Sequence, residues 1–152
     1  MVQTTAEARQ QLLDSIGLAA DELGVALASL GAAYEQLDQL KADELEDKLF
    51  QPVQRAYGRA RRTHAEFATR HALPNRAFEP SSPGLPSIGA KTFIDNAAVA
   101  VGKADAALAE LQDSMLPVDV GDTELRAGLA YLRGLLGNFG QQAREVVRTI
   151  GR

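Results

Sequence analysis

The chain has 152 residues, 45% of them apolar and 24% charged, with a net charge of −4 and no cysteine. That length and balance predict one folded domain with a sizeable core and exclude a disordered chain. Without cysteine there are no disulfides, no thiol chemistry and no zinc–thiolate sites, which fits a reducing cytoplasm. The alanine, glycine and arginine usage suggests a high-GC bacterial source. Charge is distributed unevenly: residues 1–48 sum to −7, residues 49–76 to +5 and residues 77–152 to −2.

Met1 to Leu12 lacks the basic flank and apolar run of a secretory signal. A first helix is predicted over 5–41, capped by Thr4 or Thr5, with Glu7 in its first turn. Leu13, Ile16, Ala20, Leu23, Leu27, Leu30, Tyr34 and Leu37 alternate steps of three and four, the seam of left-handed helix packing. Gly17, Gly24 and Gly31 repeat every seven residues beside that seam. A glycine in a helix interior costs roughly 1 kcal/mol relative to alanine, so close approach of a neighbouring helix is expected along that line. Leu18, Val25 and Ala32 fall on the outward positions, so Leu18 and Val25 are candidate interface residues. Asp21 and Glu22 interrupt the long apolar stretch Ile16–Tyr34, and carboxylates at bilayer depth are costly, so no membrane span is expected.

A turn near Lys41–Asp43 is expected, because Asp43-Glu44-Leu45-Glu46 resembles a capping box. The second helix is predicted over 44–72, its seam built from Phe50, Val53, Tyr57, Ala60, His64, Phe67 and His71. Pro52 either kinks it or sets 44–51 apart as a short turn. His64 and His71 are the only histidines and the only weak metal candidates. Seven residues of helix rise about 10.5 Å, too far for both to share one ion comfortably. Partly buried histidines bonded to neighbours are the plainer expectation. Arg55, Arg59 and Arg62 step by four and three along one face, with Arg61, Arg70 and Arg76 nearby. They are either paired with acids of adjacent helices, especially the first, or form an anion-binding face. Against nucleic acid stand the acidic net charge and the expectation that Tyr57 and Phe67 face the core.

Four of the six prolines fall within 73–87, which predicts an extended loop pinned by Phe78 and Leu85. A third helix is predicted over 88–116, capped by Ser87, and a fourth over 122–150, capped by Asp122 with Glu124 following. On the fourth, Gly134 faces outward beside Tyr131 and Leu135, a second interface candidate.

The expected fold is an all-α four-helix bundle, up-down-up-down, with a long proline-rich loop between helices two and three. At about 3 Å per extended residue the loop could instead span about 40 Å and cross the bundle. No nucleophile elbow, phosphate-binding loop or Rossmann fingerprint is present. The sequence therefore predicts a non-enzymatic, cofactor-free helical protein acting through protein–protein contact, self-associating as a homo-oligomer. Anion or nucleic-acid binding through the arginine face is the alternative, followed by metal or small-molecule binding in the core.

Overall fold

The computed structural model describes residues 3–84 and 86–150 of the chain. These residues are all-helical apart from turns and extended connections, with no strand among them. The first helix, α1, is Thr5–Glu35. Thr4 caps it, its hydroxyl accepting the Glu7 N–H at 3.1 Å, which satisfies one of the free donors of the first turn.

α1 ends six residues before the boundary expected at 41, because the turn is set by Asp38 and not by Asp43. Asp38 is extended, and its carboxylate accepts the Lys41 N–H at 3.0 Å to start α2 (Gln39–Leu45). Asp43 lies within α2, where it accepts from the Gln39 side chain. α2 then runs without a break through a π turn (Glu46–Phe50) into α3 (Gln51–Arg70). Pro52 has no N–H to offer the preceding turn. The wider turn ahead of it absorbs an extra residue, with Gln51 donating to the Glu46 carbonyl. Pro52 thus interrupts the hydrogen-bond pattern without splitting the helix, and residues 39–70 form one rod.

Residues 73–84 have no regular structure, and a short 3-10 turn (Pro86–Ile88) leads to α4 (Ala90–Asp113). Ser87 is not its cap. Gly89 holds that place at φ 94, a conformation that favours glycine. Phe78 does pack, with its ring edge-on to His64 at 5.3 Å, whereas Leu85 lies outside the described residues. After α4, Met115 adopts φ 68 and opens a four-residue helix, α5 (Leu116–Asp119), that periodicity did not indicate. Asp122 caps α6 (Thr123–Leu136) by accepting the Leu125 N–H at 2.8 Å. The single helix expected over 122–150 breaks at Gly137–Asn138, after which α7 (Phe139–Ile150) completes the chain.

The contacts set the directions of the helices. Arg9 of α1 donates to the Val120 carbonyl just beyond α4 and α5, so α1 and α4, the most extensively packed pair, run antiparallel. Tyr57 lies beside Gly24, while Asp14 acts electrostatically on His64, so α1 and α3 are antiparallel too. Arg70 pairs with Asp122, and Thr63 packs on Gly128, which makes α3 and α6 antiparallel. It follows that α3 and α4 point the same way. The connection between them must cross the length of the fold, so the up-down-up-down order expected from the sequence is replaced at this connection.

The crossing strap explains the first helix's glycines differently from the expectation. A Cβ on Gly17 would lie 2.7 Å from the Arg76 guanidinium, and one on Gly24 would touch Tyr57 and Ser81. Gly31 meets nothing within 4 Å. The first two make room for side chains of the strap and α3, not for a neighbouring helix backbone. The tightest contact of a helix glycine with a neighbouring helix is at Gly128, where a Cβ would lie 2.7 Å from the Thr63 hydroxyl.

α1 is long and apolar enough to span a membrane on length and composition alone. In the fold, more than half of that stretch is buried. Of its expected seam Leu13, Ile16, Ala20, Leu23 and Leu30 are buried, Leu27, Tyr34 and Leu37 are half-buried, and Leu12, Ala19, Ala26 and Ala33 complete the core face.

Candidate interaction surface on the α2–α3 rod

The buried face of the rod is Leu45, Leu49, Val53, Ala56, Ala60, Thr63, His64 and Phe67. Its opposite face carries the charge. Of the arginines singled out in the sequence, none on α3 reaches an acid of α1. Only Arg76, in the strap, does so, placing Nη2 at 2.7 Å from both carboxylate oxygens of Asp21. Among the described residues Arg55 has no ion pair or hydrogen bond. Arg59 stacks over Tyr131 at 4.9 Å and Arg61 over Tyr57 at 5.1 Å, neither with an acid partner among the described residues. Arg62 lies 3.7 Å from Glu66 on its own helix. Among the described residues, pairing of an α3 arginine with an acid of an adjacent helix thus occurs at Arg70, with Asp122 at the cap of α6, and not with the acidic first helix.

Arg59, Arg62 and Arg70 line a groove between α3 and α6 together with Glu66 and Glu124, while Arg55 lies outside it. Arg70 is already engaged, donating from Nε and Nη2 to the two oxygens of Asp122 at 2.8 and 2.9 Å. His71 Nε2 lies 2.9 Å from the same carboxylate. Burial works against the Asp122 charge, but hydrogen bonds from Arg70, the Leu125 N–H and His71 outweigh it. They hold its carboxyl well below the usual carboxylate range. The groove is close to electrically neutral and does not gather Arg55, Arg59 and Arg62 into one anion clamp. The tyrosines beside Arg59 and Arg61 revise one expectation: Tyr131 is 44% exposed and Tyr57 half-buried, so aromatics do interleave with the arginines.

The histidines occupy separate environments. His64 is buried, its pKa lowered first by desolvation and then by the nearby Arg76 charge, with Asp14 opposing. Its Nδ1 has no hydrogen-bond partner among the described residues. Those residues contain no group of three histidine or carboxylate side chains placed to hold a metal.

Leu18 is 63% exposed and Val25 38%, on α1. Tyr131 lies beneath Arg59, and Gly134 has open space beside its Cα. Leu135 is half-buried and lines a groove with Asp47, Lys48 and Pro52 of the rod. The α6 candidates thus border the charged face, whereas α1 and α6 share no extensive contact. Sequence reasoning missed Leu40, 81% exposed on α2. A helix break at Asp38 would have placed it opposite the buried Ala42 and Leu45. Compared with protein-family models, with curated proteins and with solved structures, the chain matches none of them.

Proposed function

We propose that the chain is a four-helix bundle with one crossover connection that acts through protein–protein contact, its α3 face receiving an acidic protein surface. The observation that carries this is the row Arg55, Arg59 and Arg62, which among the described residues makes no ion pair with the acid-rich helix packed beside it, Arg62 alone having an acid nearby, Glu66 of its own helix. An exposed uncompensated charge steers association with an oppositely charged partner and fixes its register. Among the described residues the groups with perturbed acidity are otherwise employed: Asp122 caps α6, Arg70 pairs with it, and His64 is enclosed in the core. This reading is non-enzymatic.

Binding of polyglutamate, followed by anisotropy at low and high salt, tests it. Wild type is expected to bind at low salt and release at high salt, with Arg55→Ala, Arg59→Ala and Arg62→Ala together abolishing binding. Salt-insensitive or absent binding overturns the proposal. Stacking of Arg59 on Tyr131 and of Arg61 on Tyr57 favours a second reading, single-stranded nucleic acid, in which bases stack on the aromatics. Preference for an oligonucleotide over polyglutamate at equal salt would select it.

A further inference from the structure

The rod of residues 39–70 carries its charge in two opposite halves. Residues 38–48 hold five acids and two lysines, and residues 55–66 hold four arginines and one glutamate. Local pairs remove part of this: Lys41 with Asp38, Lys48 with Glu44, Arg62 with Glu66. Among the described residues, Asp43, Glu46 and Asp47 are left without an ion pair in the first half, and Arg55, Arg59 and Arg61 in the second.

The π turn aligns them. Two ordinary helical turns take about 7.2 residues, so Asp47 and Arg55, eight apart, would diverge around a regular helix. The extra residue taken up before Pro52 returns them to one face. Asp43 and Asp47 then continue into Arg55, Arg59 and Arg62 as a single row, with exposed Leu40 at its acidic end. The row is its own electrostatic mirror about Gln51. Asp47 and Arg55 are each four residues from that centre, Asp43 and Arg59 eight, and Leu40 and Arg62 eleven.

We infer that a second copy of this chain pairs with this face as an antiparallel two-fold dimer, resting on the α3 reading above. Asp47 would meet the partner's Arg55, and Asp43 the partner's Arg59. Leu40 would enter the gap between the partner's Gly58 and Ala65, where Gly58 has no neighbour within 4 Å of a Cβ position. A two-fold axis forms each contact twice and closes the assembly at two copies. On α6, Tyr131, Gly134 and Leu135 flank the row and supply apolar surface beside it.

The test is analytical ultracentrifugation of the full chain, with circular dichroism verifying that each variant keeps its helices. Wild type is expected to be a dimer at low salt, weakened at least tenfold by salt that shortens screening to about 3 Å, near 1 M. Asp43→Arg with Asp47→Arg should give monomers, as should Arg55→Glu with Arg59→Glu. Mixing those two monomeric proteins should restore dimers containing one of each. Growth beyond dimers, unchanged dimers in both variants, or failure of the mixture to pair overturns the proposal. A wild-type monomer at high micromolar concentration overturns it too. If that monomer still binds polyglutamate, the α3 reading survives without a second copy as its partner; if it does not, both fall.

Discussion

Asp122 does three jobs at once: it caps α6, pairs with Arg70 and accepts from His71. Replacing a capping residue by alanine typically costs about 0.5–2 kcal/mol. Asp122→Ala should therefore lower chemical-denaturation stability by at least that much, whereas Glu124→Ala, which caps nothing, should cost less. The pH dependence follows from sign. The folded pKa of Asp122 lies below its ordinary 3.8, so its contribution is present above 3.8 and is lost as pH falls through the folded value. The folded pKa of His64 lies below 6.5, so the unfolded chain takes up the proton first. Stability then declines as pH drops below 6.5. Urea titrations should show a decline starting near neutrality that His64→Gln removes, and a second acid decline that Asp122→Asn removes. A glycine pair gives a contrast of the same kind. Gly128→Ala forces a methyl against Thr63 and should cost about 1–3 kcal/mol. Gly102→Ala, in open space on α4, should gain up to about 1 kcal/mol from helix propensity.

At the scale of elements, apolar spacing located the helical segments well because each buries a stripe against its neighbours. Breaks were less legible. Asp38 and Asp43 offer the same capping chemistry, and only packing decides that Asp38 turns the chain. Gly137 and Asn138 could be tolerated inside a helix, so nothing local announces the break before α7. The π turn compensates for one proline, and a regular 3.6-residue template cannot represent it. The candidate surface was half legible: Arg55, Arg59 and Arg62 stood out by spacing, but that none of them pairs with an acid of the first helix depends on tertiary placement. Leu40 was hidden by the misplaced turn. The strap provides the element-scale prediction. It is tied to α1 by Arg76 on Asp21 and to α3 by Phe78 on His64. Asp21→Ala with Phe78→Ala should speed proteolytic cleavage within 74–84 relative to wild type, measured by mass spectrometry of the fragments. Unchanged cleavage would show that those two contacts do not hold the strap.

For the whole molecule, chain direction is the property that sequence pattern carries least. Four apolar stripes specify that helices pack but not which neighbours they choose. A proline-rich connection of this length can turn back or cross with equal ease, since loop-closure entropy grows only slowly with length. The choice depends on particular contacts: Arg9 with Val120 at one end of the α1–α4 pair, and Arg76, Phe78 and Ser81 laid along the seam of α1 and α3. These place the end of α3 and the start of α4 at opposite ends of the fold. Because the chain has no cysteine, thiols introduced at Thr69 and Lys91, both exposed, can be spin-labelled without competition. At 1.5 Å rise per residue α4 is about 36 Å long, and the labels should be separated by a distance of that order. A second pair at Arg70 and Thr123, across the α3–α6 junction, should be short. Connecting α3 straight back into α4 would make both distances short, so a long first distance beside a short second one is the signature of the crossing strap.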